Sequence, residues 1–211
     1  MYNKIPIAIQ CVPRRKEHVD KMMAELKRMG FINVIPFYDH EYKGTLHNFK
    51  RIMSEDYGVA THLLVLQDDV IFAENFAEHL TELVKLNHHC ISLFAPPRKV
   101  YKEQLELGTR LYIEKNFLWC QAVLYRTDFR LGLIAHKYTE AQLKEIRGKH
   151  DDVMVGQYAK DTKQHVLITI PSIVQHDIAI PSTLGTASKI GSITRESSLF
   201  YTIPPDYFKQ S

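Results

Sequence analysis

Short apolar runs rich in β-branched residues alternate with longer amphipathic segments through the first half of the chain. The short runs have the length of buried strands, whereas the longer segments repeat apolar residues every three or four positions, as one face of a helix requires. Residues 16–29 illustrate the helical pattern, because their apolar positions fall on one face and Gly30 follows as a stop signal. These patterns predict strands at 5–12, 32–37, 62–66 and 90–95, and helices at 16–29, 45–57 and 75–86.

The second half of the chain has a less regular pattern. Pro96 and Pro97 predict a loop, while Thr139 and Gln142 form a capping box at the start of a helix for which Gly148 is the expected stop. Strands separated by helices of this length predict an α/β fold with a largely parallel sheet and helices on both faces. The other predicted elements are strands at 117–125 and 165–170, helices at 139–147 and from about 151, and a polar tail at 182–211.

The composition is typical of one globular domain, and no linker divides the 211 residues. The net charge of +3 comes from 27 basic and 24 acidic residues that are scattered along the chain, so a nucleic-acid partner is not predicted. No run of 18 apolar residues predicts a membrane span, and the first apolar stretch is too short for a secretory signal. Three widely spaced cysteines in apolar segments indicate buried thiols, and hence a cytoplasmic location.

The sharpest chemical motif is QDD, in which Gln67, Asp68 and Asp69 follow a predicted buried strand. Ligands of open α/β sheets bind outside the carboxyl ends of the strands, and two acids there could hold Mg²⁺ or Mn²⁺ through oxygen. The alternative is that the two acids simply end a strand in solvent. Residues two apart on a strand share a face, so we expect Gln67 and Asp69 to point together and Asp69 to be the charged ligand.

Two further segments carry candidate chemistry. In HDDVMVG, Asp151 is an expected helix N-cap and Asp152 lies in the first turn, where the helix dipole favours an ionised carboxylate that could act as a general base. The alternative is an ordinary capped helix start. In PSIVQH, His176 follows a predicted strand, where its imidazole could bind a metal or a phosphate, although most histidines do neither.

Taken together, QDD, HDDVMVG and PSIVQH resemble the GT-A glycosyltransferases, and the resemblance covers the chain from Ile5 to about His176. It implies a GT-A-like single domain related to the Rossmann fold, with a nucleotide-binding part at about 1–95 and an acceptor and catalytic part at about 96–211. It also implies Mn²⁺ or Mg²⁺ at Asp69 and His176, Asp152 as the base of an inverting reaction, and Asp68 as a contact to ribose or a metal-bound water. A narrower resemblance is to glycosyltransferases that decorate the capsids of chlorella viruses, which would place the protein in the host cytoplasm.

The same resemblance implies a pocket for a nucleoside-diphosphate sugar, expected to be a UDP-sugar, and a glycan or protein-linked glycan acceptor. For Arg14, Arg15, Lys43 and Arg51 a solvated surface position is the alternative, and for Trp119 it is a place in the core. In addition to Gln67 and Asp68, the expected donor-binding residues are Pro13, Arg14, Asp39, Lys43, Gly44, Asn48, Arg51, Trp119, Gln121 and Arg195.

The sequence therefore predicts a metal-dependent glycosyltransferase that uses a nucleotide sugar. A sugar nucleotidyltransferase is one alternative, but such enzymes carry a glycine-rich phosphate loop after the first strand, and residues 11–17 contain no glycine. A non-catalytic binding domain is the other alternative, and it would require clustered basic and aromatic residues, which the sequence does not show.

Overall fold

The structure is a computed structural model that describes residues 5–117, 119–149, 151–177, 179–180, 200 and 207–208. A short 3-10 turn, Pro13–Arg15, lies between the first strand and the first helix. The strands are β1 (Ile7–Cys11), β2 (Val34–Tyr38), β3 (His62–Gln67), β4 (Val70–Phe72), β5 (Cys90–Ser92), β6 (Leu111–Glu114), β7 (Ala122–Arg126), β8 (Val166–Thr169) and β9 (Val174–His176). The helices are α1 (Lys16–Arg28), α2 (Thr45–Ser54), α3 (Phe76–Lys85), α4 (Lys99–Glu106), α5 (Thr127–Ala135), α6 (Glu140–Lys149) and α7 (Asp151–Asp161).

Seven of the strands form one mixed sheet in the order β2-β1-β3-β7-β5-β8-β6. Strands β1, β2, β3, β5 and β8 run in the same direction, whereas β7 and β6 run the opposite way. The predicted α/β class with a mostly parallel, Rossmann-like sheet is therefore confirmed. Strands β4 and β9 form a separate antiparallel pair, which is the feature that later brings two distant sequence motifs together.

Helices cover both faces of the sheet because successive residues of a strand point to opposite faces. In β1, Ile7 and Ile9 join the hydrophobic cluster that contains the inner faces of α1 and α3, whereas Ala8 joins the cluster formed by α2, α5 and α7. In β3 the same alternation places Leu64 in the first of these clusters and Val65 in the second. The predicted inner face of α1 is confirmed at Val19, Met22 and Leu26, which are buried.

Several sequence predictions need correction. The predicted strand at 117–125 begins only at Ala122, because the backbone of Trp119 has a left-handed φ of 88° and cannot continue a strand. Gly148 does not stop its helix, since α6 extends to Lys149. The elements that the patterns did not predict are β4, α4, β6, α5 and β9.

Two other expectations are confirmed. The capping box exists, since the Gln142 N–H donates to Thr139 Oγ1 at 3.3 Å and the Thr139 N–H donates to Gln142 Oε1 at 2.8 Å. Cys11, Cys90 and Cys120 are buried thiols without disulfides, and burial raises the pKa of Cys11 to about 12. Across the described part of the chain, no helix combines the length and the apolar character that crossing a membrane requires.

Candidate functional site

The candidate site lies at the carboxyl ends of β1 and β3, which are neighbouring parallel strands. Strand β3 ends at Gln67, and the turn at Asp68 and Asp69 leads directly into β4. Because β4 pairs with β9, Val70 lies opposite His176, and the Asp177 N–H donates to the Asp69 carbonyl oxygen at 2.7 Å. The pairing of β4 with β9 thus places the PSIVQH segment beside the QDD turn.

Both acids of the turn are buried and share one cationic partner. Nη1 of Arg15 donates to Asp68 Oδ1 and, at 2.9 Å, to Asp69 Oδ2. The second oxygen of Asp68 accepts the Val12 N–H at 3.1 Å. The expectation that Asp69 would point away from Asp68 with Gln67 is therefore wrong, because the alternation of a strand ends at Gln67 and a turn follows.

The side chain of His176 also contacts the acid pair of the QDD turn. Its Nε2 lies 3.3 Å from Asp69 Oδ2, and its side chain is almost completely buried. The other carboxylate oxygen, Asp69 Oδ1, is buried and has no hydrogen-bond partner among the residues that the structure describes. An unpartnered buried carboxylate oxygen is costly, so this atom is suited to bind a ligand or an ion that completes the site.

The two carboxylates have different electrostatic environments. Burial raises the pKa of Asp68, and the nearby negative charge of Asp69 adds to that effect against the opposing charge of Arg15. Burial also disfavours the charged form of Asp69, but the hydrogen bond and charge of His176, together with Arg15, outweigh it and hold its pKa below the usual value. Asp69 is therefore ionised at neutral pH and is the better cation ligand of the two.

The residues fit a divalent cation that is shared with phosphate groups, not one enclosed by protein. Within the described ranges, no group of three or more His, Cys, Asp or Glu side chains could hold a metal ion. Mg²⁺ in nucleotide sites is commonly held by one or two carboxylates and completed by phosphate oxygens and water. The open Oδ1 of Asp69 offers one such carboxylate oxygen, and the imidazole of His176 lies beside it.

The acid pair at the start of α7 lies beside the segment that precedes β7. Asp151 is buried and its Oδ1 accepts the Asp152 N–H at 3.1 Å. Asp152 accepts the Val153 N–H through Oδ1 at 2.7 Å and the Trp119 N–H through Oδ2 at 3.3 Å. Both acids thus bind backbone N–H groups, and the expectation that Asp151 is the N-cap is wrong because Asp151 is the first residue of α7.

Trp119 and Gln121 connect this acid pair to the QDD turn. The Gln67 N–H donates to the Gln121 carbonyl oxygen at 2.8 Å, which fixes residues 119–121 beside the end of β3. Trp119 Nε1 and Gln121 Oε1 are buried polar atoms that have no partner within the described part of the chain. The segment 119–121 therefore contacts both the end of β3 and the start of α7.

The predicted nucleoside residues build the turn between β2 and α2. The buried Asp39 accepts the Lys43 N–H at 3.0 Å and the Gly44 N–H at 2.8 Å, and its own N–H donates to the Cys11 carbonyl oxygen at 2.9 Å. Gly44 has a φ of 94°, a conformation that a glycine adopts without strain. Lys43 is exposed, and its ammonium group pairs with Glu41 at 2.5 Å.

Asn48 and Arg51 extend this region along α2. Asn48 is buried and donates through Nδ2 to the Phe37 carbonyl oxygen at 2.6 Å, while its Oδ1 has no partner in the described structure. The exposed Arg51 donates to the Tyr38 carbonyl oxygen at 2.9 Å and lies over the Phe37 ring. Hydrogen bonds therefore tie the carboxyl end of β2 to the helix that follows it.

The remaining predicted residues have different outcomes. Pro13 and Arg14 lie in the 3-10 turn after β1, with Arg14 exposed, and Arg195 lies outside the described residues. The residue that sequence analysis underrated is Arg15, which it considered as part of the nucleoside pocket or as a solvated residue at a helix start, and not as a partner of the two acids. The signal that could have found it is its position after β1, next to the strand that carries the acids.

Comparison with known proteins identifies the fold and not a family. No family model matches the chain, and no curated protein matches it. Among solved structures, the chain is similar to a protein described as a glucose-1-phosphate thymidylyltransferase from Bacillus anthracis, solved in complex with sucrose. The two chains are 8% identical, the match covers 82% of this chain and 89% of the other, and the TM-score is 0.51.

This similarity shows a Rossmann-like fold that a nucleotidyltransferase also has. At such low identity it carries no information on shared substrates or site residues. It also gives no support to the narrower resemblance to viral capsid-glycan enzymes.

Proposed function

We propose that this protein is an enzyme of nucleotide-sugar chemistry, with the diphosphate bound at the carboxyl ends of β1 and β3. The observation that carries the proposal is the buried group of Asp68, Asp69, Arg15 and His176, in which one oxygen of an ionised Asp69 has no partner within the described residues. In an open α/β sheet this edge is where ligands bind. At this point the guanidinium of Arg15 matches the negative charge of a diphosphate. The carboxylate of Asp69 matches the positive charge of the counter-ion of that diphosphate.

Glycosyl transfer from a nucleoside-diphosphate sugar, expected to be a UDP-sugar, is the reaction that we infer first. The three segments that resemble GT-A glycosyltransferases lie in one region, and the loop after β1 lacks the glycines that a nucleotidyltransferase phosphate loop needs. In this proposal residues 1–95 bind the nucleotide, and residues 96–211 supply the acceptor side. The acceptor is a glycan or a protein-linked glycan.

The residues have separate roles in this reaction. Asp69 and His176 would hold Mn²⁺ or Mg²⁺, which when bound supplies positive charge to the departing diphosphate. Asp152 accepts the proton of the acceptor hydroxyl as that oxygen attacks the anomeric carbon in line with the departing diphosphate, so the product has inverted configuration. The backbone N–H groups of Val153 and Trp119 hold the Asp152 carboxylate in place.

Nucleotidyl transfer to a sugar phosphate is the second candidate, and it agrees better than glycosyl transfer with the description of the solved structure that has a similar fold. The solved structure with the similar fold is described as a thymidylyltransferase. In that reaction the same edge of the sheet would bind a nucleoside triphosphate together with a sugar phosphate. Both candidates therefore place a nucleotide sugar in the site, as donor in one and as product in the other.

Two parallel reactions followed by ³¹P NMR separate the candidates. In the first, the purified protein is incubated with the diamagnetic ion Mg²⁺ and a panel of UDP-sugars, and a glycosyltransferase releases UDP through transfer or slow hydrolysis. In the second, it is incubated with Mg²⁺, dTTP or UTP, and glucose 1-phosphate, and a nucleotidyltransferase forms pyrophosphate and a nucleotide sugar. If neither product forms and no nucleotide sugar raises the melting temperature, the proposed function is wrong.

A further inference from the structure

Arg15 already contacts one oxygen of each acid in the pair. Its side chain is only 7% exposed, and one nitrogen, Nη1, contacts both carboxylates. The 3-10 turn Pro13–Arg15 fixes the backbone of this residue between β1 and α1, and the Val12 N–H bond to Asp68 attaches the same loop to the acids. The loop after β1 and the QDD turn are thus one connected unit.

A divalent cation and the guanidinium compete for this unit. Arg15 Nη1 already lies 2.9 Å from Oδ2 of Asp69, so a cation bound to the same carboxylate would lie close to the guanidinium. Two positive groups that share one buried carboxylate repel each other. Binding through the open Oδ1 reduces this repulsion but does not remove it.

The formal charges of the site also disfavour binding of a divalent cation alone. The formal charges of the two carboxylates and the one guanidinium that contacts both sum to minus one. A divalent cation alone would leave a buried positive charge, which is unfavourable unless it is compensated. A diphosphate supplies that compensation, and it offers the guanidinium a set of oxygens that matches its planar fork.

We propose that Arg15 is a built-in counter-ion that opposes binding of the divalent cation alone and moves from the acid pair to the diphosphate when the two ligands bind together. This inference rests on the proposed function and adds the order and coupling of ligand binding to it. Cation and diphosphate then strengthen each other's binding by the same factor, as linkage requires. Arg15 is a binding residue in this account, and not a structural ion pair alone.

The test compares Mn²⁺ binding to the wild type and to Arg15→Gln, with unbound Mn²⁺ measured by EPR in the absence and presence of UDP. The variant lacks the competing charge, so it binds Mn²⁺ alone about tenfold tighter than the wild type. It binds UDP more weakly, so the coupling between Mn²⁺ and UDP is smaller than in the wild type. Because Mn²⁺ also binds UDP in solution, only the difference between the two proteins measures Arg15.

A structural role alone would weaken both ligands together, and an unchanged or lower Mn²⁺ affinity in Arg15→Gln overturns the proposal. Lys16→Gln is the matched control, since Lys16 is an exposed neighbouring cation that pairs with Asp20. If Arg15→Gln does not fold, Arg15→Met with Asp68→Asn removes one charge of each sign and is compared with Asp68→Asn alone. The double variant must then bind Mn²⁺ tighter than the single variant, and equal affinity contradicts the account.

A wild-type protein that binds no UDP refutes glycosyl transfer from a UDP-sugar together with the coupling. The comparison with Mn²⁺ alone still decides whether Arg15 competes with the cation. The two failures are therefore distinguishable in one set of titrations.

Discussion

At the scale of single residues, the two acids of the QDD turn are chemically unequal although they are adjacent. Both contact Arg15, but Asp69 also contacts His176 and has an oxygen without a partner in the described structure. Burial raises the pKa of Asp68, whereas His176 and Arg15 overcome burial at Asp69 and lower its pKa. The ionised state of Asp69 is thus favoured at the site where a cation is proposed.

We predict that Asp69→Asn weakens Mn²⁺-dependent UDP binding by about 1.5–3 kcal/mol, or roughly 10–100-fold, because a charged ligand becomes neutral. Asp68→Asn weakens it less, since the asparagine oxygen can still accept the Val12 N–H. Calorimetric titration of UDP in the presence of Mn²⁺ measures both variants. A larger loss in Asp68→Asn than in Asp69→Asn would contradict the ranking.

A second prediction concerns the acids at the start of α7. Asp152→Asn lowers the transfer rate by about 10²–10⁴-fold, the usual effect of removing a general base, with donor binding retained. Asp151→Asn remains active, because the asparagine oxygen can accept the same Asp152 N–H. Initial rates with a UDP-sugar, together with NMR of the anomeric proton in the product, measure this. Near-normal transfer by Asp152→Asn, or a retained configuration, contradicts the assignment of the base.

The residue scale also shows where sequence reasoning ended. QDD could be chosen from the sequence because two acids follow an apolar strand, but the contact of Arg15 with both acids depends on the pairing of β1 with β3. The approach of His176 to Asp69 depends on the antiparallel pairing of β4 with β9. Both strands of that pair have three residues, which is too short to show a period of two.

At the scale of secondary-structure elements, prediction succeeded where strands and helices alternate with clear punctuation. The core of every predicted element in the first half is present, and the main errors are at the ends, such as α2 ending at Ser54 and not at residue 57. The second half was harder to predict because β7 passes into α5 without an intervening loop. The apolar run that contains Trp119 carries no sequence signal for the left-handed residue that breaks it.

The packing of α5 against α7 gives a prediction at this scale. A Cβ added at Gly132 would lie 2.0 Å from the hydroxyl oxygen of Tyr158, so Gly132→Ala forces the ring to move. We expect a loss of about 1–3 kcal/mol from overpacking, offset in part by the roughly 1 kcal/mol preference of alanine for helices. Urea unfolding followed by circular dichroism measures the loss.

Tyr158→Phe provides the matched control for this contact. Removing the hydroxyl leaves the nearest ring carbon at 3.0 Å from the added Cβ, so Gly132→Ala costs less in the Tyr158→Phe background than in the wild type. Equal losses in the two backgrounds would show that the hydroxyl contact is not the cause.

At the scale of the whole molecule, stability depends on pH through histidines that folding removes from water. Burial lowers the pKa of His18, His62 and His88 below the model-compound value. As the pH falls, the unfolded chain therefore binds protons at these histidines before the folded state does. Their contribution to the free energy of unfolding is complete above the unfolded pKa and is lost as the pH falls. Unfolding in urea is expected at lower concentration at pH 5.5 than at pH 7.5.

His62 isolates this effect, because it is buried at the start of β3 and remote from the candidate site. His62→Gln reduces the pH dependence of the free energy of unfolding, by at most about 1.4 kcal/mol per pH unit for one group. His165→Gln changes an exposed histidine and is the control. Identical pH profiles for His62→Gln and the wild type would remove His62 from the explanation.

At the same scale, strand β3 allows a direct test of the proposed cation and diphosphate site, because its two ends lie at different distances from that site. Strand β3 has His62 at its first residue and leads to Asp69 beyond its last, and its six residues span roughly 17–20 Å. A paramagnetic ion at Asp69 would thus be near His176 and far from His62. The imidazole signals of both histidines can be followed by NMR in the same sample.

The decisive measurement is a titration of the isotopically labelled wild type with substoichiometric Mn²⁺ in the presence of UDP, with histidine signals assigned through single substitutions. We expect the His176 signal to broaden first and the His62 signal to keep its width. The same titration of Asp69→Asn leaves both signals sharp. Equal broadening of His62 and His176, or no broadening of His176 in the wild type, would contradict a cation and diphosphate site at the ends of β1 and β3.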